Sequence, residues 1–280
     1  MRANTPDVYA VVGHPISHSR SPFIHARFAE QTGENIRYDK LDVAPRDFAA
    51  KVGHFRAHGG RGLNVTVPLK EQAFAYATTL TARARRAGAV NTLRFDSAHE
   101  VFADNTDGVG LVRDLSANLG VTLAGRRVLL LGAGGAARGV LGPVLDEGPD
   151  RVVVANRTAA RADTLAAAFA SSGEVHSCAL QAIPRIAFEV VVNATATSLD
   201  GVELPLLRDH LAPGALCYDM MYAAEPTVFL RQAMALGAAR TADGRGMLVE
   251  QAAESFWLWR GKRPHTGPVI AALGIALSAG

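Results

Sequence analysis

Cysteine is nearly absent from these 280 residues: Cys178 and Cys217 are the only two, and they share neither a CxxC nor a metal-ligand spacing. That excludes a disulfide framework and a cysteine-built metal centre, and it points to a reducing compartment. Cys217 follows Ala215-Leu216 in an apolar run and reads as a buried thiol. Long apolar runs are lacking too: none approaches the roughly 20 residues that a membrane-crossing helix needs. The N-terminus shows no apolar core of a secretory signal, so a cytoplasmic protein with no membrane partner is expected. Charge of one sign is also scarce, the formal net charge being +3. The short basic clusters Arg83-Ala-Arg85-Arg86 and Arg126-Arg127 read as solvated helix and loop surface, and no nucleic-acid partner is expected. No metal site is expected either. With 49% hydrophobic residues and no low-complexity tract, the chain suits two modest domains with buried cores.

Val8-Tyr-Ala-Val-Val12, closed by Gly13, reads as a buried strand. A polar loop follows, and Ser21-Pro22 is a helix-start signal, with serine at the N-cap and proline at the first helical position. Gly33 stops that helix. Capping accounts for Ser21 and leaves Ser19 over; the functional alternative is a site for a small carboxylate. Residues 36–43 alternate as a half-buried strand, and residues 45–58 read as a helix with Phe48, Val52 and Phe55 on one face. In Gly62-Leu-Asn64-Val-Thr66-Val-Pro68-Leu-Lys70, Leu63, Val65 and Val67 alternate with Asn64 and Thr66, sending both polar side chains to one face. Pro68 ends the strand and sets Lys70 in the first turn of the next helix, where the helix dipole disfavours a cation. A solvated lysine and a functional one both fit; the neighbourhood shared with Asn64 and Thr66 favours the second. Residues 81–87 read as a helix, and residues 89–95 as a strand carrying Asn91. Asp104-Asn-Thr-Asp107-Gly108 opens a helix through Leu111, Leu115 and Leu119, read as the connection between domains. Asp107 is there either a plain N-cap or a functional carboxylate.

From Arg127 onward strands and helices alternate, which argues for a parallel sheet covered on both faces. The apolar run Val128 to Leu131 breaks into Gly132-Ala133-Gly134-Gly135-Ala136 and then into a helix, with Pro143 expected to kink it. Strand, glycine turn and helix in that order open a dinucleotide-binding βαβ unit. Gly132 allows the tight turn, Gly134 lets backbone N–H groups approach a pyrophosphate, and the helix N-terminus offers its positive end. A second strand ends in Asn156-Arg157-Thr158, followed by Arg161, where an NAD-specific unit tends to place an acid. Arginine there pairs a 2′-phosphate, so NADP is favoured over NAD. Thr241-Ala-Asp243-Gly244-Arg-Gly246-Met247 is a glycine-rich loop leading into a helix with Leu248, Gln251, Ser255 and Leu258 along one stripe. Gln251 is a satisfied core amide unless it borders a cleft.

His18-Ser19-Arg20-Ser21-Pro22, Asn64-Val-Thr66-Val-Pro68-Leu-Lys70, Ala89-Val-Asn91-Thr92 and Asp104-Asn-Thr-Asp107-Gly108 together resemble the substrate-domain motifs of the shikimate dehydrogenase family. Gly132 to Ala136, Asn156-Arg157-Thr158, Tyr218-Asp-Met220-Met-Tyr222 and Ala242-Asp-Gly244-Arg-Gly246-Met247 are similar to its cofactor-domain motifs. The resemblance implies an α/β protein of two domains with a cleft between. The substrate domain would be discontinuous, residues 1–107 plus 246–280, and a Rossmann-like NADP-binding domain would span 108–245. It implies NADPH-dependent reduction of 3-dehydroshikimate to shikimate. Lys70 and Asp107 would be the catalytic pair. Ser19 and Ser21 would hold the substrate carboxylate, and Asn64, Thr66, Asn91, Tyr222 and Gln251 would surround the ring. Gly132, Ala133, Gly134, Gly135, Ala136, Asn156, Arg157, Thr158, Arg161, Met220 and Gly244 would hold the cofactor, in a monomer or homodimer.

Some positions depart from the family. Asn193-Ala-Thr195-Ala-Thr197 stands where relatives often have a serine and then glycine, Ala82 where some carry an acid, and Glu250 is an added charge expected to face solvent. Two rivals remain: a quinate/shikimate dehydrogenase of broader substrate and cofactor use, against which Arg157 and the paired serines argue, and a non-catalytic NADPH-binding sensor, against which Lys70 and Asp107 argue.

Overall fold

Two sheets with helices between their strands account for most of the elements read from the sequence. The computed structural model describes residues 5–97, 99–198 and 201–278. The chain divides into two units: unit 1 runs to Gly110 and takes in Val249–Val269, and unit 2 runs Leu111–Leu248 and takes in the chain from Ile270. The stretch after Val269 thus groups with unit 2, whereas the sequence reading groups all of 246–280 with the substrate domain.

Unit 1 contains β1 (Asp7–Gly13), α1 (Ser21–Thr32), β2 (Ile36–Asp42), α2 (Phe48–Ala57), β3 (Gly60–Val65), α3 (Lys70–Tyr76), β4 (Thr79–Leu80), α4 (Ala82–Ala87), β5 (Thr92–Phe95) and β6 (Val101–Asp104). Its sheet has the order β2-β1-β3-β5-β6-β4, parallel from β2 to β3 and antiparallel through β5 and β6. Tyr9, Ala10, Val11 and Val12 are all buried, which is why β1 is a continuous apolar run and not an alternating one. The chain leaves unit 1 within α5 (Asp107–Arg113), which passes into one π turn at Asp114–Asn118.

Unit 2 follows with β7 (Arg127–Leu131), α6 (Gly135–Asp146), β8 (Arg151–Asn156), α7 (Ala159–Phe169), β9 (Val175–Ala179), β10 (Phe188–Asn193), β11 (Leu211–Asp219), α8 (Val228–Ala235) and β12 (Arg240–Asp243). All pairings are parallel, in the order β12-β11-β10-β7-β8-β9. Counted from β7, that is the doubly wound order 3-2-1-4-5-6, whose direction reverses between β7 and β10. The chain returns to unit 1 within α9 (Arg245–Arg260), and α10 (Gly267–Ser278) closes it.

Several local expectations are corrected. Ser21 is the first helical residue, not the N-cap; its N–H donates to the Ser19 hydroxyl, so Ser19 supplies the local cap-like bond. Val67 lies beyond the end of β3 and is 70% exposed, so the alternation stops at Val65. Residues 241–243, read as part of a loop, belong to the edge strand Arg240–Asp243 on β11, and β9 at the other edge was not read at all. Glu250 is buried, because α9 is packed around most of its circumference: Val249, Ala252, Ala253 and Phe256 are fully enclosed.

Arg83 is no solvated helix residue. Its guanidinium forks onto the buried Asp104 carboxylate and also reaches Glu254 Oε1 at 3.0 Å, while Arg263 holds Glu254 Oε2 at 2.6 Å. Thr81 Oγ1 and the Asn105 N–H complete the set of donors on Asp104, at 2.6 and 2.7 Å. This cluster ties α4, the end of β6 and α9 together. Removing one partner of a buried ion pair costs about 3–5 kcal/mol, because the other charge is left uncompensated. Urea unfolding of Arg83→Met is expected to show a loss of that size; an unchanged midpoint would remove this cluster from the supports of unit 1.

Candidate active site

Lys70 begins α3 and Asp107 begins α5, and the two side chains meet: Lys70 Nζ donates to Asp107 Oδ2 at 2.5 Å. Their side chains are only 19% and 9% exposed, so the pair is shielded from bulk water. The carboxylate offsets the unfavourable placement of a cation in the first turn of a helix. Asp107 Oδ1 accepts from Asn91 Nδ2 at 2.8 Å, and the Asp107 N–H donates to Asn105 Oδ1 at 3.1 Å. Asn105 in turn is held by the Ala89 carbonyl at 3.0 Å. Asn91 also reaches Thr106 Oγ1 and Gln251 Oε1, and its own oxygen accepts from the Thr106 N–H. Lys70, Asp107, Asn91 and Gln251, singled out in the sequence, therefore form one connected set. Asn105, Thr106 and Ser255 join it unannounced; a run of Asn-Thr-Asp at a helix start was the only signal for the first two.

A second group lies along α1 and β3. Ser19 Oγ donates to Ser21 Oγ at 3.3 Å, and Tyr38 donates to Asn64 Oδ1 at 2.7 Å; the Ser21 hydroxyl lies near enough to the Tyr38 phenol to offset part of the upward push that burial gives it. The Asn64 amide is engaged at both ends, its Nδ2 reaching Ser255 Oγ at 2.9 Å and Thr92 Oγ1 at 3.3 Å. It is 6% exposed. The Thr66 hydroxyl, by contrast, has no partner among the described residues. Tyr38 and His25 were missed in the sequence; neither stands in a pattern that separates it from core.

In unit 2, Gly132 follows β7 at φ 108°, a left-handed conformation that favours glycine, with the Ala194 carbonyl also close by. The N-terminus of α6 has no side-chain cap, and a Cβ built on Gly134 or Gly135 would meet nothing within 4 Å. Free N–H groups thus face open space at the carboxyl end of β7, the switch point of the sheet. Ala133 and Ala137 are buried beneath that turn, and Ala136 is half-buried. At the end of β8, Asn156 Nδ2 donates to the Thr158 carbonyl at 2.9 Å. Arg157 and Arg161 are exposed, and among the described residues neither has a carboxylate partner.

The departing loop is ordered by hydroxyls: Asn193 Oδ1 accepts from the Thr195 N–H and hydroxyl, and Thr195 and Thr197 share a bond at 2.6 Å. Asn193 Nδ2 reaches Ser198 and the buried Asp219. Asp219 also accepts from Ser198, Thr227 and the Met221 N–H; burial pushes its carboxyl up, against those bonds. It anchors the turn bearing Met220, which is buried, and Tyr222, which is half-buried. A side chain at Gly244 would collide with the Met220 carbonyl, which accounts for that glycine.

Comparison with known proteins matches three family profiles in order along the chain. They are the shikimate dehydrogenase substrate binding domain at residues 11–93, shikimate / quinate 5-dehydrogenase at 114–209, and the shikimate 5′-dehydrogenase C-terminal domain at 244–273. A relative from Methylococcus capsulatus named shikimate dehydrogenase (NADP(+)) is 55% identical over 96% of this chain and 96% of its own length. The chain belongs to the shikimate dehydrogenase family. An Ael1 enzyme from Pseudomonas putida has a TM-score of 0.90 at 46% identity, covering 95% of this chain and 98% of that one. Shikimate 5-dehydrogenase from Thermus thermophilus, solved with NADP(H) and shikimate, has a TM-score of 0.86 at 34% identity, covering 96% and 99%. The shikimate dehydrogenase profile for the substrate domain spans Ser19, Ser21, Asn64, Thr66, Lys70 and Asn91. Asp107, Met220 and Tyr222 fall between the matched stretches, so their parts rest on geometry and motif.

His25 supplies a pH signature for this member of the family. Burial pulls its imidazole down to about 3 from 6.5, against a smaller upward effect of the bond to Asn64. Between those values the unfolded chain binds a proton that the folded chain refuses. Stability therefore falls as the pH drops from 6.5 toward 3, by about 1.4 kcal/mol per pH unit from this group. Urea unfolding at steps across that window is expected to give a shallower slope, by about that amount, for His25→Gln; parallel slopes would refute the assignment.

Proposed function

We propose that this chain is an NADP-dependent shikimate dehydrogenase that interconverts 3-dehydroshikimate and shikimate in the cytoplasm, as a step of chorismate and aromatic amino-acid biosynthesis. The observation that carries the reading is the shielded Lys70–Asp107 pair, joined through Asn91 and Asn64 to Tyr38, with Ser19 and Ser21 bonded to each other at the start of α1. Ser19 and Ser21 hold the substrate carboxylate, and Asn64, Thr66, Asn91, Gln251 and Tyr222 border the ring. The residues of unit 2 fit NADP: free N–H groups at the α6 N-terminus suit a pyrophosphate, and the unpaired Arg157 and Arg161 suit a 2′-phosphate. Ala133, Ala136, Asn156, Thr158, Met220 and Gly244 complete that surface.

When bound, NADPH supplies the hydride that reduces the substrate carbonyl. The oxygen then gains negative charge, and Lys70 is a cation and a proton donor at once. Its ammonium has three N–H bonds, of which Asp107 takes one. Asp107, fixed by Asn91, keeps the ammonium aimed. In the reverse direction the same pair accepts the hydroxyl proton.

Lys70→Ala is expected to lower kcat by about 10²–10⁴-fold, the usual contribution of a positioned acid–base group, with the KM for shikimate changed far less. Near-normal turnover would refute the assignment. Arg157→Ala is expected to raise the KM for NADP+ by about 10–100-fold, the loss of one charge-assisted bond, and to leave the KM for NAD+ unmoved. Equal changes with both cofactors would sink the 2′-phosphate reading.

A further inference from the structure

One buried imidazole takes no part in the chemistry above. His25 stands on α1 one turn after Ser21, fully buried, its ring stacked on that of Tyr38 with centroids 4.2 Å apart and planes 7° from parallel. Phe28, Phe256 and Trp259 enclose the rest of it. Its Nε2 meets Asn64 Oδ1 at 3.2 Å, while Nδ1 has no partner among the described residues.

The direction of each bond here follows from one fixed acceptor. The Asn91 carbonyl can only accept, so Asn64 Nδ2 faces it, together with Ser255 and Thr92. Asn64 Oδ1 must then face Tyr38 and His25, and both must donate: the phenol at 2.7 Å, the imidazole through Nε2–H. The unpaired Nδ1 is therefore a lone pair, less costly to bury than an orphaned N–H. The Ser21 hydroxyl, bonded to Ser19, lies beside the Tyr38 phenol. His25 grips both Tyr38 and Asn64, the first by stacking and the second by hydrogen bonding.

We propose that His25 is a positioning residue for the substrate carboxylate: as a neutral, Nε2-protonated imidazole it fixes the Tyr38 phenol and the Asn64 amide, so that Ser19 and Ser21 meet the carboxylate already aligned. This rests on the reading of the two serines as the carboxylate site. A side chain of similar size without a donor fills the space but leaves the Asn64 oxygen one bond short and its amide free to turn. The cost falls on binding of the carboxylate, because alignment is then imposed by the substrate itself. Lys70, Asp107 and the NADP surface are untouched.

The test is a pair of near-isosteric variants, His25→Gln, which can donate to Asn64, and His25→Met, which cannot. Steady-state kinetics with shikimate and NADP+ are expected to give a KM for shikimate about tenfold higher in the methionine variant, the size of one buried hydrogen bond. The glutamine variant is expected to stay within about threefold of the parent, with kcat and the KM for NADP+ near the parent values in both. Should the methionine variant not fold, His25→Phe supplies the same contrast, keeping a ring against Tyr38 without the donor. Glutamine and methionine variants that behave alike, or equal rises in both KM values, overturn the proposal. Ser19→Ala is measured alongside: an unchanged KM for shikimate there overturns the carboxylate reading and the proposal with it. A raised value there, with the two His25 variants alike, overturns only the part given to His25.

Discussion

The reactive side of unit 1 depends on how one carboxylate is shared. Asp107 gives one oxygen to Lys70 and the other to Asn91, and its backbone is held by Asn105. A shielded ion pair gains little net stability, because desolvating both charges consumes much of the Coulomb attraction. The neutral amides around it compensate differently: they stabilise the carboxylate without adding a second cation. Lys70 thus remains the sole cation on Asp107 among the described residues. Three residues earlier, Asp104 takes the opposite solution, bound by the planar fork of Arg83. Arginine stays charged and suits a fixed joint, whereas an ammonium with spare N–H bonds suits a proton that must move. Neighbouring carboxylates in one turn of chain are thus set apart by the cation each receives, and the proposed chemistry falls to the one paired with lysine.

Unit 2 is built differently. Its parallel sheet reverses order between β7 and β10, and the turn after β7 exposes backbone at Gly134 and Gly135, where a Cβ would meet nothing within 4 Å. The α6 N-terminus, without a side-chain cap, gives that turn its positive end. One buried acid of this unit, Asp219, has no cation in contact among the described residues: Asn193, Ser198, Thr227 and the Met221 N–H serve it instead. Its work is to hold two loops in register, β10's and β11's, for which neutral donors suffice.

What could be read in advance follows the same division. The parallel sheet, the glycine turn and the acid-free end of β8 were legible because they depend on local order: apolar run, glycine, helix. Lys70 was legible because its position contradicts the helix dipole. Long-range pairing hid the rest. Arg83 looked like solvated surface since nothing nearby in sequence announces Asp104 and Glu254 as partners. Glu250 looked exposed because a single apolar stripe was expected on a helix that is buried nearly all round. His25 and Tyr38 resemble core residues by spacing, and only their shared acceptor on β3 distinguishes them.

The polar interior of unit 1 also explains why the fold places amides and hydroxyls where aliphatic packing would be simpler. Asn64, Asn91, Thr92, Thr106 and Ser255 come from β3, the start of β5 with the residue before it, the turn before α5, and α9, and each is bonded to at least one of the others. A hydrocarbon core tolerates small shifts, because dispersion has no direction. A closed hydrogen-bond network does not: a displaced amide leaves a buried group unpaired, at about 1–3 kcal/mol each. The network therefore fixes the relative positions of four chain segments more sharply than packing would. Those segments carry or adjoin Lys70, Asp107, Gln251 and the serine loop. Precision in the site is bought by polarity beneath it, and the family's amide-rich motifs are the sequence trace of that requirement.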